Sequence, residues 1–132
     1  MIVGDASVIL QFIFKDQRCP YSDAFERTLE DTPVWVPLLF RIEMAHVLRK
    51  KELYHSWPIQ TSEEMVTLLE SLLIYQDIAS SASFLLKLQR RYGLSAYDAV
   101  YLSLAFHLEA PLATTDKKLA KAAKAEGLYW QP

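Results

Sequence analysis

Short, wholly apolar runs separated by longer stretches of helical period constrain this chain more than any other feature. Met1–Val3, Val34–Val36 and Pro111–Thr114 each read as a strand without polar alternation, and Pro33 and Pro37 fence the second. A strand that is apolar at every position is buried on both faces, which happens in parallel sheets covered by helices. The intervening segments supply those helices. They are expected over about Ala6–Phe14, Tyr21–Glu30, Leu38–Leu53, Thr61–Ser71, Ile78–Tyr92, Ser95–Leu108 and Asp116–Glu126. Thr61 or Ser62 is the expected cap of the fourth helix, and Gly93 the stop of the fifth. Leu72–Tyr75 reads either as a strand or as an extension of the preceding helix, and Leu128–Trp130 as a closing strand.

The 132 residues suit one compact domain spanning 1–132, and 52% of them are apolar, enough for a core. The net charge of −2 advertises no general affinity for nucleic acid, although a local basic patch needs no overall excess. Cys19 is the only cysteine, so no intramolecular disulfide forms, which suits a reducing cytoplasm. Asp5 interrupts the first apolar stretch, which is therefore no secretory signal, and no run approaches the roughly 20 residues of a membrane helix. A soluble, cytoplasmic protein is expected.

In a covered parallel sheet, sites form beyond the carboxyl ends of the strands. Asp5 follows the first strand and Asp116 follows PLATT. Either acid could cap the next helix. Asp5, however, lies inside an apolar run, where an unpaired charge costs on the order of several kcal/mol or is forced neutral. Glu43 has Leu39, Phe40, His46 and Val47 three and four positions away, which puts it at the margin of an apolar helix face. Ser95-x-x-Asp98 has the form of a capping box, yet Asp98 shares its face with Tyr101, Leu102 and Ala105.

Four such acids converging at one sheet edge require compensation. Two carboxylates about 4 Å apart repel by about 4 kcal/mol at an effective dielectric near 20. Protons or cations must offset this, and hard oxygen donors suit Mg²⁺ or Mn²⁺ rather than zinc. Ser7 and Thr114, each two residues from an acid, add hydroxyls. A carboxylate cluster that holds such an ion suits phosphodiester hydrolysis, the chemistry of a nuclease.

The stretches VGDASVIL, PLLFRIEMAHVLRK and RYGLSAYDAVYLSLAFHLEAPLATTDKKLAKAAKAEGL together resemble a PIN domain, and most closely the VapC-type toxins of bacterial and archaeal toxin–antitoxin pairs. The resemblance covers essentially the whole chain, and YDAVYLSLA with its following T-x-D is its most specific part. It implies an α/β, PIN-like three-layer fold: a five-stranded parallel sheet flanked by helices. It also implies a Mg²⁺- or Mn²⁺-dependent endoribonuclease that cuts single-stranded RNA by water attack. The family's acidic positions map onto Asp5, Glu43, Asp98 and Asp116, with Asp5 and Asp98 as main metal ligands and Glu43 and Asp116 completing the pocket. Ser7 and Thr114 match the neighbouring hydroxyl positions. A small antitoxin occupying the active-site groove, and a homodimer, are further implications. One departure stands out: His46 replaces the Asn common three residues after the helical glutamate, which bears on substrate contact or metal preference.

Other readings compete. Glu43-x-x-His46 and Glu52-x-x-His55 have the spacing of di-iron helix bundles, but the strand-like VWVP and PLATT segments oppose that architecture. A non-catalytic α/β interaction module, its acids serving as caps and surface charges, is the alternative to an enzyme. A PIN nuclease outside toxin–antitoxin systems is another. Basic residues at Arg49–Lys51, Lys87–Arg91 and Lys117–Lys124 read mainly as solvated helix faces, although Lys117, Lys121 and Lys124 share one face. Lys117, Arg41 and His46 are the candidate substrate contacts. Tyr21, Tyr54 and Trp57 read as packing residues before base-stacking ones, and Asp77 is given no role.

Overall fold

The computed structural model describes residues 1–77 and 80–132. Its elements are β1 (Ile2–Gly4), α1 (Ala6–Ile13), α2 (Pro20–Thr28), β2 (Val34–Pro37), α3 (Leu39–His55), α4 (Ile59–Leu72), β3 (Leu73–Gln76), α5 (Ala82–Tyr92), α6 (Ala96–Leu108), β4 (Leu112–Ala113) and α7 (Lys117–Ala125). A 3-10 turn lies at Lys15–Gln17. The strands make one parallel sheet in the order β3-β2-β1-β4, flanked by helices as their apolar composition requires.

That order fixes where a site can form. The chain winds outward from β1 through β2 to β3, then crosses back to lay β4 on the other side of β1. The direction of winding therefore reverses between β1 and β4. A crevice opens at such a switch point, beyond the carboxyl ends of the two strands. Val3 pairs with Leu112 and Gly4 with Ala113, so Asp5 and Thr114 leave the sheet side by side. Gly4 lets β1 end beneath the core: a Cβ there would stand 3.0 Å from Ile9 Cδ1 and 3.1 Å from both Phe25 Cζ and Val34 Cγ1.

The core joins Val3, Val34, Val36 and Leu112 of the sheet to Phe25, Phe40, Leu69, Leu102 and Leu119 of the helices. Helix α6 buries Ala99, Tyr101, Leu102, Ser103, Leu104 and Ala105 on nearly all sides, as a helix enclosed between sheet and other helices must. In contrast, α7 buries Leu119, Ala122 and Ala123 and turns its lysines outward.

Four expectations need correction. Among the described residues the sheet has four strands rather than five. Leu128–Trp130 contributes only a parallel bridge between Tyr129 and Leu112, because β4 is two residues long and offers almost nothing to pair with. Leu112 N donates to Leu128 O at 2.6 Å and Trp130 N to Leu112 O at 2.9 Å. The fourth helix starts at Ile59, with Pro58 and its fixed φ at the cap, so Thr61 and Ser62 lie within the helix. The fifth starts at Ala82, where the Ser81 hydroxyl accepts from Phe84 N at 3.1 Å. The expected start at Ile78, with Ala79, lies outside the described residues. Residues 73–76 form a strand, since β2 offers them four successive partners. Among the described residues, no helix is long and apolar enough to cross a membrane.

Candidate active site

Asp5 occupies the N-cap position of α1 in extended geometry, but its side chain makes no cap hydrogen bond. Its backbone N–H donates to Ala113 O at 2.9 Å, tying it to β4. The carboxylate is 4% exposed, and its Oδ2 accepts from Ser7 Oγ at 2.6 Å and from Thr114 Oγ1 at 2.8 Å. Burial pushes the carboxyl above its ordinary range. The two hydroxyls, and the nearby amides of Ser7 and Ala6, oppose that push.

Thr114 is fully buried and links this acid to the next helix. Asp116 N donates to Thr114 Oγ1 at 3.0 Å, Thr115 N donates to Ser7 Oγ at 3.1 Å, and the Ser7 and Thr114 hydroxyls are 3.2 Å apart. Asp116 itself is exposed and caps α7 through Oδ1, which accepts from Leu119 N at 2.8 Å.

Asp98 sits in the first turn of α6, with its own N–H donating to Ser95 Oγ at 3.1 Å. Its carboxyl is pushed up to about 6, first by burial and then by the negative charges of Asp5 and Asp116, with weaker opposition from Ser95 and Lys118. Glu43 is half-buried on α3. Burial also raises its pKa, the Tyr101 hydroxyl opposes the rise, and Asp5 and Asp98 add to it. Tyr101 Oη donates to Glu43 Oε1 at 2.5 Å. The Tyr101 hydroxyl is held protonated far above its ordinary range by burial and by the charges of Glu43 and Asp5.

The charge of Asp5 thus reaches both Glu43 and Asp98, and that of Asp116 reaches Asp98. Among the described residues, none of the four takes part in a salt bridge. The remaining candidates are distributed differently. Arg41 is taken up by Glu70, with Nε and Nη2 donating at 3.0 and 3.2 Å, and its guanidinium lies 4.0 Å from the Tyr75 ring centroid. His46 is exposed on α3, one turn beyond Glu43. Lys117 lines a surface cleft together with Thr114 and Thr115.

The sequence reading missed the grip of Tyr101 on Glu43. Its only signal was a position one helical turn after Asp98, which suggests a shared face but says nothing of a partner 58 residues away. Tyr21, expected to pack, does so against Trp130 at 5.3 Å and also touches the site: its Oη accepts from Thr114 N at 3.3 Å.

The donor set, four carboxylates and two hydroxyls, is the chemistry a hard divalent cation requires. The side chains are nonetheless engaged with protein partners, Asp5 with two hydroxyls, Glu43 with Tyr101 and Asp116 with α7. Among the described residues, no group of three or more His, Cys, Asp or Glu side chains is assembled to hold a metal ion. The cluster thus has the ligands and the uncompensated charge for a cation, without a closed ligand shell.

Comparison with solved structures shows the same fold in proteins of distant sequence. PAE2754 from Pyrobaculum aerophilum superposes with a TM-score of 0.73 at 16% identity, over 92% of this chain and 78% of that one. FitAcB from Neisseria gonorrhoeae gives 0.61 at 19% identity, over 94% of each chain. Among curated proteins, none matches the chain. The family model of the PIN domain matches residues 2–125.

Proposed function

The chain belongs to the PIN-domain family, whose members are generally metal-dependent nucleases, and from that premise we propose that it is a Mg²⁺- or Mn²⁺-dependent endoribonuclease hydrolysing single-stranded RNA. One observation carries the reading: Asp5, Glu43 and Asp98 are drawn together at the switch point of the sheet, each raised first by burial and the latter two also by the charge of Asp5, while no cation pairs with them among the described residues. Residues 1–132 form a single nuclease domain in this proposal, and its biological setting is the toxin half of a toxin–antitoxin pair. A small antitoxin is the protein partner, and a homodimer the assembly. A short reading frame immediately upstream and overlapping this one would support that setting.

Asp5 and Asp98 are the proposed main ligands, with Glu43 and Asp116 completing the set. A hard divalent cation held by these carboxylates would supply Lewis-acid activation of water and would offset the charge of the phosphodiester. The protein's own contribution is preorganisation. Ser7 and Thr114 fix Oδ2 of Asp5 and so orient the carboxylate, while Tyr101 does the same for Glu43 through Oε1. Lys117 is the proposed phosphate contact nearest the acids, and exposed His46 a contact to the strand. Arg41 would have to leave Glu70 to join them.

The test incubates purified protein with single-stranded RNA in Mg²⁺, Mn²⁺ or EDTA. Cleavage is expected with either metal and none in EDTA. Asp5→Asn and Asp98→Asn, with the circular dichroism of a folded protein, should lose more than the roughly 100-fold that an outer-shell partner is worth. Undiminished cleavage by Asp5→Asn would remove that residue from the site. The alternative, a non-catalytic interaction module, draws on Asp98 and Asp116 both serving helix starts. Absence of cleavage in every metal, with no metal-induced change in melting temperature, would favour it.

A further inference from the structure

Beside the acids, between α7 and the segment that follows it, lies a cleft of about 440 Å³. Lys117, Lys121 and Lys124 form one wall, spaced four and three residues apart on one face of α7, with Ala120 leaving room between them. They span about 10 Å at 1.5 Å per residue. Among the described residues, none of the three has an acidic partner within salt-bridge distance. Tyr21 and Tyr129 form the other wall, stacked with ring centroids 5.9 Å apart and planes 18° from parallel. Lys124 Nζ is held 4.6 Å from the Tyr129 centroid, so the far end of the row is positioned in advance.

The near end runs into the candidate active site. Thr114 and Thr115 line the cleft, and these same residues touch the acid cluster, Thr114 through Asp5 and Asp116 and Thr115 through Ser7. A polymer lying along the lysines therefore reaches Thr114 and Thr115, the residues that connect the cleft to the acid cluster. Lysine binds phosphate as a point charge and needs no fixed angle, whereas planar recognition of a carboxylate favours arginine.

We propose that this cleft binds the sugar–phosphate backbone of single-stranded nucleic acid next to the phosphodiester to be cut, with Lys117, Lys121 and Lys124 each neutralising a phosphate. The inference rests on the nuclease reading and adds to it the path of the strand.

Binding of a fluorescent 12-nucleotide single-stranded RNA, followed by anisotropy in EDTA from 50 to 300 mM salt, tests it without cleavage. For single strands, log K changes with log salt by about −0.7 per phosphate neutralised, so Lys117→Ala, Lys121→Ala and Lys124→Ala combined should flatten the slope by about 2. A charge-matched control, Lys50→Ala, Lys87→Ala and Arg90→Ala, removes three exposed cations that do not line the cleft. It should change the slope by less than half as much. Equal slopes for the two triple variants, or an unchanged slope in the α7 variant, would overturn the assignment. A 12-residue polyglutamate peptide that binds as tightly as the RNA, and loses the same slope, would also overturn it and make the cleft a site for acidic protein. Cleavage of the same RNA by wild type in Mn²⁺ is followed in parallel. Its absence counts against the nuclease reading, whereas cleavage with an unaltered slope counts against the cleft alone.

Discussion

Between about pH 4 and pH 6 the Asp98 carboxyl carries a proton in the folded chain that it has already lost in the unfolded one, because its pKa rises from 3.8 to about 6 on folding. The folded state then binds more protons than the unfolded state, so this residue's contribution to stability falls as pH rises through that window and levels off above it. Asp98→Asn removes the contribution. Denaturant unfolding in EDTA at pH 4.5 and pH 7 should show that the variant gains on wild type as pH rises. A difference that stays constant, or reverses, would refute the assignment. Asp5 and Glu43 are raised in the same direction, so all three of these carboxyls resist ionisation on folding. Much of this was visible in the sequence, since an acid inside an apolar run announces a desolvated charge. The hydroxyl partners were only half visible. Ser7 and Thr114 sit next to acids in sequence, but the Tyr101–Glu43 bond joins two helices whose relative placement no local pattern encodes.

Helix α7 carries two tasks at its first turn. Asp116 caps it, and the same residue's charge bears on Asp98. The tasks separate by substitution, because asparagine caps a helix about as well as aspartate whereas alanine does not. Asp116→Ala is expected to cost about 1 kcal/mol of stability and Asp116→Asn almost none, read as denaturant midpoints. Both should weaken metal-dependent cleavage. Asn and Ala variants of equal stability would show that the cap is unimportant. Helices were the most legible elements, because their apolar periods and caps are local. Ser81, Ser95 and Asp116 cap α5, α6 and α7 by side-chain acceptance, two of them at the expected residue. The start of α4 was misread because Thr61 and Ser62 looked like caps while Pro58 had already set the helical turn. Strands were less legible: whether residues 128–130 pair depends on the length of β4, a property of their neighbour.

For the molecule as a whole, clustered acids make metal binding and stability a single equilibrium. A ligand that binds only the folded state stabilises it by about 2.7 kcal/mol at 100 times its Kd. Melting temperature should therefore rise with Mg²⁺ or Mn²⁺ in wild type. Asp5→Asn should melt higher than wild type in EDTA, having shed a buried charge, and should respond little to either metal. A wild-type melting temperature indifferent to both ions would contradict the proposed cofactor. The fold class followed from apolar strands alternating with helices, but the strand order did not, and the order decides that the crevice opens between β1 and β4. The joining of those two strands also has a consequence for how the protein is made. Asp5 and Thr114 are separated by 109 positions, and chains leave the ribosome N-terminus first. During synthesis Asp5 emerges first and waits through those 109 positions before its second hydroxyl arrives. A growing chain therefore lacks the assembled site until Thr114 has followed Asp5 out of the ribosome.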